Sequence, residues 1–233
     1  MLSHKLMLHI PMNIRNIRKK FEYIFNIKFM SKDTDEIQLP DGKHILKTYY
    51  YSDDSHQVSE YNVRASKTDV LDLKGNIVTE LKNIDYHVDF FSMVEHSNGK
   101  NYLFFSTELY GYSILVLSDL STYHFIPAES FKEHKETFIW TSVLYCAQNN
   151  ILAVDGCYWA CPASTYFFDF SHPTKNPLKE LYNSYDMDGE VNIDTDVIPL
   201  RWNNDGTIVL KCCTDEEGEK EVEKTIDVLS RIN

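Results

Sequence analysis

The sequence predicts an all-β protein, and three observations carry that expectation. Aromatic residues are abundant, with 15 Tyr and 13 Phe in 233 residues, and these favour pleated, half-buried surfaces over helices. Short apolar runs alternate with clusters of Gly, Asn, Asp and Pro, which read as strands bounded by turns. A tight-turn motif also recurs at a spacing near 50 residues. A chain of this length can bury a substantial core as one all-β domain or two small ones.

The first 30 residues stand apart. In residues 13 to 30, Ile14, Ile17, Phe21 and Ile24 have helical spacing, while Phe21, Tyr23, Phe25, Ile27 and Phe29 alternate. The expectation is a helical turn over 13 to 20 and a strand over 21 to 29. This segment holds Lys5, Arg15, Arg18, Lys19, Lys20 and Lys28 against Glu22, a net of +5, which leaves -17 on residues 31 to 233. The chain therefore divides into a basic N-terminal segment, 1 to 30, and a single acidic β domain, 31 to 233.

Within that domain the repeat has two markers. The first is a turn between two strands: LPDGKHIL at 39 to 46, HSNGKNYL at 96 to 103, CAQNNIL at 146 to 152 and NNDGTIVL at 203 to 210. Asn-Gly and Asp-Gly supply the positive φ angles of a hairpin, so Gly42, Gly99, Asn150 and Gly206 are equivalent positions. The second marker is a strand running into a turn, at 70 to 76, 115 to 121, 167 to 173 and 226 to 232. Three of these lead into a further strand, at Ile77 to Leu81, Tyr123 to Ile126 and Leu178 to Tyr182. The clearest pair of middle strands spans Ile151 to Pro173, with strands at 151 to 154 and 166 to 170 around turn residues at 156 to 163. The same order recurs at 102 to 120 and 208 to 229. Each unit is thus a four-stranded antiparallel meander, and the fourth lacks its outer strand.

This grammar resembles that of β-propellers, and the turns resemble the DG-lysine hairpins of WD-type and related bacterial propeller repeats, over roughly residues 35 to 233. The resemblance implies a small or incomplete β-propeller of about four four-stranded units. Residues 21 to 29 are then expected to supply the missing outer strand of the last unit. Ring closure, an open array and closure as a homodimer all remain consistent with four units.

Composition narrows the function classes. Five cysteines without framework spacing suit a reducing compartment, so the cytoplasm is expected. No run reaches the ~18 apolar residues of a membrane span. The acidic body should repel nucleic acid. Phosphate-binding glycine loops and βαβ alternation are absent, so nucleotide enzymes are not expected, and no cofactor is implied.

Four sets of residues offer chemistry. Cys157 and Cys161 form a C-x3-C pair that could join Cys212 and Cys213 in a metal or thiol site; the other reading is core and turn cysteines. His87, His96, His124, His134 and His172 fall near expected loops, where solvated histidines are the default. Asp186, Asp188, Glu190, Asp194 and Asp196 share one loop, either a solvated acidic loop or a calcium-like one. Trp140 and Trp202 are expected in the core, whereas Trp159 lies in a turn and suits an interface anchor.

The meander sorts these residues by end. Loops between second and third strands emerge beside the links between units, which gathers Asp53, Asp54, Glu108, Tyr110, Glu136, Tyr158, Trp159, Asp186, Asp188, Asp215, Glu216 and Glu217 on one face. Lys43, Lys74, Lys100 and Lys175 fall on the other. The sequence thus leads to a noncatalytic scaffold presenting an acidic, aromatic face to a basic protein partner, an immunity or inhibitor role being one case. The alternative is a metal- or thiol-dependent enzyme built on Cys157, Cys161, Cys212 and Cys213.

Overall fold

The computed structural model describes residues 19–58, 61–84, 90–187, 189–214 and 220–232. It is all-β, with three four-stranded and one three-stranded antiparallel sheets and, among the described residues, one short complete helix. The first sheet holds β1 (Met30–Gln38), β2 (His44–Val58), β3 (Tyr61–Asp72) and β4 (Ile77–Ile84). The second holds β5 (Phe91–Glu95), β6 (Asn101–Phe105), β7 (Tyr112–Val116) and β8 (Thr122–Phe125). After α1 (Ala128–Lys132) comes the third, with β9 (Ile139–Cys146), β10 (Ile151–Cys157), β11 (Ser164–Asp169) and β12 (Lys179–Asn183). The fourth has β13 (Ile198–Trp202), β14 (Ile208–Cys213) and β15 (Glu221–Ile226). Strands in every sheet pair in chain order.

The hairpin chemistry is where the sequence put it. Gly42, Gly99 and Gly206 have φ of 63°, 78° and 84°, and Asn150, with φ 54°, does the same work in the third sheet.

Alternation along the strands gives each middle sheet two apolar faces, and neighbouring sheets share them. Leu46, Val70 and Leu81 of the first sheet pack with Leu103, Phe105 and Leu115 of the second. The opposite face of the second sheet, with Tyr102, Phe104, Tyr112 and Ile114, meets Trp140, Leu152, Val154 and Tyr166 of the third. Ile151, Ala153 and Phe167 then meet Ile208, Leu210, Cys212 and Ile226 of the fourth. No apolar cluster among the described residues contains both first- and fourth-sheet side chains.

Both outermost faces also carry ion pairs. On the first sheet Lys67 contacts Asp69 and Glu80 at 3.1 Å each. On the fourth, Arg201 pairs with Glu223 at 2.8 Å and Lys211 with Glu221 at 2.7 Å. The two fourth-sheet pairs are exposed and add little to stability, but they keep that face in water, whereas on the first sheet Asp69 is buried beneath Lys67.

Residues 21 to 29 do not form the expected closing strand. Glu22–Phe25 and Ile27–Phe29 are 3-10 turns, and Ile24 is fully buried against Tyr51 and Ala65 on the outer face of the first sheet. The alternating aromatics instead serve an amphipathic turn, with Phe25 edge-on to Tyr51 at 5.4 Å. Among the described residues the fourth sheet has three strands. Its outer position is approached by the C-terminal turn Leu229–Arg231, where Arg231 grips Glu190 through two hydrogen bonds of 2.8 and 3.0 Å. The helical turn expected over 13 to 20 lies largely outside the described residues; Lys19 and Lys20 are helical.

Candidate partner-binding face

The site is built where β10 turns into β11. Between Asp155 and Gly156 the pairing with β9 slips by one residue, a bulge that bends the strand end. Only glycine fits at 156, because a Cβ there would lie 2.1 Å from the Ile139 carbonyl oxygen and 2.6 Å from the Phe138 ring. The sequence places Gly156 among turn residues, but β10 continues through Cys157. A tight turn follows, closed by the Cys161 N–H on the Tyr158 carbonyl at 3.0 Å and carried by Ala160 at φ 60°.

That turn presents Trp159, which is 60% exposed. Its backbone N–H donates to Glu136 Oε1 from the link between the second and third sheets. The Ala163 N–H donates to Asp196 Oδ1 at 2.8 Å, from the link between the third and fourth. Backbone donors of one loop therefore hold two carboxylates from two separate links. Tyr158 packs edge-on to Phe138 at 5.8 Å, with its hydroxyl 3.4 Å from that of Tyr166. Tyr110 completes the group; burial, then the charge of Glu136, pushes its phenol up from the ordinary value.

The local field is negative. Burial, then the charge of Asp155, pushes the Cys157 thiol up, with Cys161, Glu136 and Asp196 adding to it, so Cys157 is held as a thiol and not as a nucleophilic thiolate. Asp155 is itself raised, first by burial; Thr141 donates to its Oδ2 at 3.0 Å, while its Oδ1 has no partner among the described residues.

The expected face is thus assembled in part. Tyr110, Tyr158, Trp159, Glu136 and Asp196 come together, and Glu108 is half-buried nearby on the same loop as Tyr110. Asp186 is exposed on a 3-10 turn whose Met187 is fully buried in the core. Asp53 departs from the expectation: it is 1% exposed, taken up by a hydrogen bond with Tyr23 under the N-terminal turns. Asp54 follows it along β2. Asp188, Asp215, Glu216 and Glu217 lie outside the described residues.

Glu190 is also not a free loop acid. Arg231 and then Lys224, at 2.8 Å, hold its carboxyl far below the usual range, at about 2. The four thiols do not converge. Cys212 and Cys213 are successive residues of β14 and point to opposite sheet faces, Cys212 into the core, while Cys161 is exposed in the Trp159 turn. Among the described residues no three His, Cys, Asp or Glu side chains are grouped so as to hold a metal ion.

Two of the loop histidines are buried, not solvated. His96 is stacked on Tyr145 at 5.1 Å, accepts the Asn98 N–H at Nδ1 and donates from Nε2 to the Phe170 carbonyl at 2.9 Å, bridging second and third sheets. His124 contacts Ser113 Oγ at 2.7 Å on the side facing the first sheet. His134 and His172 are exposed, and His87 is outside the described residues.

Comparison with known proteins adds little to this picture. No family model matches the chain. A stretch of 76 residues is 34% identical to "Uncharacterized protein R762" of Acanthamoeba polyphaga mimivirus, covering 33% of this chain and 30% of that protein. No helix among the described residues is long and apolar enough to cross a membrane.

Proposed function

We propose that the protein is a noncatalytic binding scaffold, a propeller-like array of four sheets that offers the Trp159 face to a basic protein partner. The observation that carries this reading is a preorganised, exposed tryptophan. Its turn is fixed by the Tyr158–Cys161 hydrogen bond and by the two carboxylates on its backbone N–H groups, so little loop entropy remains to be lost on binding. An aromatic anchor ringed by desolvating neighbours is the usual centre of a binding hot spot. Glu136, Asp196 and the net charge of -12 would set a fast, salt-sensitive approach of a cationic surface. An immunity or inhibitor role toward a basic enzyme falls within this class. Ion pairs on the outer faces of the first and fourth sheets are compatible with an array that stands without ring closure, as capped repeat proteins do.

The test is affinity capture from the native host followed by cross-link mapping on the captured complex. Cross-links from a basic partner should concentrate on residues 108–110, 133–136 and 157–163. Cross-links confined to Lys43, Lys74 and Lys100 would place the partner on the opposite end and overturn the reading.

A further inference from the structure

At the hairpin end of the seam between second and third sheets lies a groove of about 380 Å³, within the ~300–1,000 Å³ range of small-molecule sites. One wall is the β5–β6 hairpin with Asn98 and Lys100; the other is the loop between β11 and β12 with His172, Thr174 and Lys175. It lies at the opposite end of the strands from Trp159, so it stands apart from the proposed partner face.

The walls are built, not draped. His96 donates to the Phe170 carbonyl at 2.9 Å, and Phe170 N–H donates to the Asn150 carbonyl at 2.8 Å, which ties the start of the loop to the core. Lys175 N–H closes a turn on the His172 carbonyl at 2.9 Å, and Leu178 N–H donates to the Tyr112 hydroxyl at 2.8 Å at the loop's far end.

Donors in this groove outnumber acceptors. Lys175 has no ionic partner among the described residues, and Thr174 has none for its hydroxyl. Lys100 is only loosely engaged, 3.8 Å from Asp119. Tyr102 is 3% exposed and lines the groove. Its neighbour Asn98 accepts the Lys100 N–H through Oδ1 at 3.0 Å, which fixes the amide so that Nδ2 donates to the Tyr102 oxygen at 2.9 Å. The Tyr102 oxygen is thus engaged as an acceptor, which leaves its proton to be donated into the groove that it lines. The one carboxylate on the rim, Asp119, already accepts the Ser121 N–H at 3.0 Å and its hydroxyl at 2.5 Å. Behind the rim Asp169 is likewise occupied, by the Ser171 N–H at 2.9 Å and hydroxyl at 2.5 Å, so the two ammonium groups face carboxylates whose oxygens are already engaged.

We infer that this groove binds a small organic phosphate. Donors on separate walls, Lys100 and Tyr102 from β6 and its hairpin and Lys175 from the β11–β12 loop, suit the tetrahedral array of three phosphoryl oxygens better than a planar carboxylate with two. Val116, Tyr123 and Pro173 offer the remaining surface to an uncharged body.

Titration of the full chain with phenyl phosphate, followed by amide shifts in 15N-labelled protein, tests this. Saturable shifts are expected at residues 96–103, 119–123 and 170–176, with inorganic phosphate competing for the same amides. Lys175→Gln should weaken binding about tenfold, as loss of one charge-assisted hydrogen bond does, while Lys175→Arg retains most of it. Lys175 is exposed, so unchanged shifts elsewhere in the spectrum verify the fold of each variant. Absence of saturable binding, equal affinity in Lys175→Gln, or benzoate or benzyl alcohol binding as tightly as phenyl phosphate would each overturn the assignment.

Discussion

The seam between second and third sheets and the seam between first and second are built from different materials. The former is a stack of rings: Phe104 lies 6.1 Å from Trp140 and 5.4 Å from Phe170, Tyr112 lies 4.3 Å from Trp140, and Phe138 lies 4.2 Å from Tyr166. The latter has aliphatic contacts over one half and a buried polar network over the other. There Thr48 meets Thr68 at 2.8 Å, Asn83 meets Ser106 at 3.3 Å, and Thr107, Ser113 and His124 form a chain at 2.8 and 2.7 Å. The aromatic seam has the Trp159 turn and Glu136 at one end and the lysine-lined groove at the other. Rings supply large burial in few rotamers, so a well-ordered aromatic seam lies beneath both surfaces that offer chemistry. The hydroxyl seam aligns the first sheet with less energy per residue, because its groups exchange hydrogen bonds with water for hydrogen bonds within the protein.

Truncation should separate the two seams most sharply. Phe170→Ala removes a fully buried ring that touches His96, Tyr102 and Phe104, and should cost about 3–5 kcal/mol in urea unfolding. A loss below about 1.5 kcal/mol would mean that the ring stack is not the main adhesive. In the hydroxyl seam, Thr48→Val alone should cost about 1–3 kcal/mol by leaving Thr68 unpaired, whereas Thr48→Val with Thr68→Val should cost less than either single change. Additive costs would break that account.

The smallest effects are pH-dependent and opposite in sign. Glu190 has its folded pKa depressed to about 2 from 4.5, chiefly by Arg231. Its contribution is therefore complete above about pH 4.5 and is lost as pH falls toward 2, so the melting difference between wild type and Glu190→Gln should shrink across that window. Asp155 is raised above 3.8 by burial. A carboxyl of this kind binds its proton better when folded, so it opposes folding progressively as pH rises above 3.8 and fully once pH has passed its folded value. Asp155→Asn should then raise the melting temperature at neutral pH and change it little at pH 3. The reverse order in either variant would contradict the stated environment.

Much of the fold was legible because its signals are local. Positive φ at Gly42, Gly99, Asn150 and Gly206 needs particular residue types, and the outer strands at 77–84, 122–125 and 179–183 follow turn residues close to where they were expected. Residues 21 to 29 misled because an alternating aromatic pattern suits a strand or a short amphipathic turn equally, and the choice was made by a tertiary pocket at Tyr51 and Ala65. Burial of Asp53, His96 and His124 was equally hidden, since each is matched by a partner distant in sequence, as Phe170 is for His96. At the candidate site, the parity of a meander was enough to bring Tyr110, Glu136 and Trp159 to one end. The groove was not legible: it needs residues 98–102 and 171–175 apposed across a seam, and the sorting of Lys100 and Lys175 to the same end was its only trace.

On the proposed function, Trp159 anchors a basic partner with help from the surrounding acids. The most direct measurement is the salt dependence of the partner's affinity for wild type and for Trp159→Ala combined with Glu136→Lys. Trp159 is mostly exposed and Glu136 lies on a link, so the sheets should tolerate both changes; the turn loses the Glu136 carboxylate but keeps the Tyr158–Cys161 and Ala163–Asp196 hydrogen bonds. Affinity should fall by about 2 kcal/mol or more, roughly thirtyfold, and its decline with added salt should flatten. Unchanged affinity with an unchanged salt slope would show that the partner binds elsewhere.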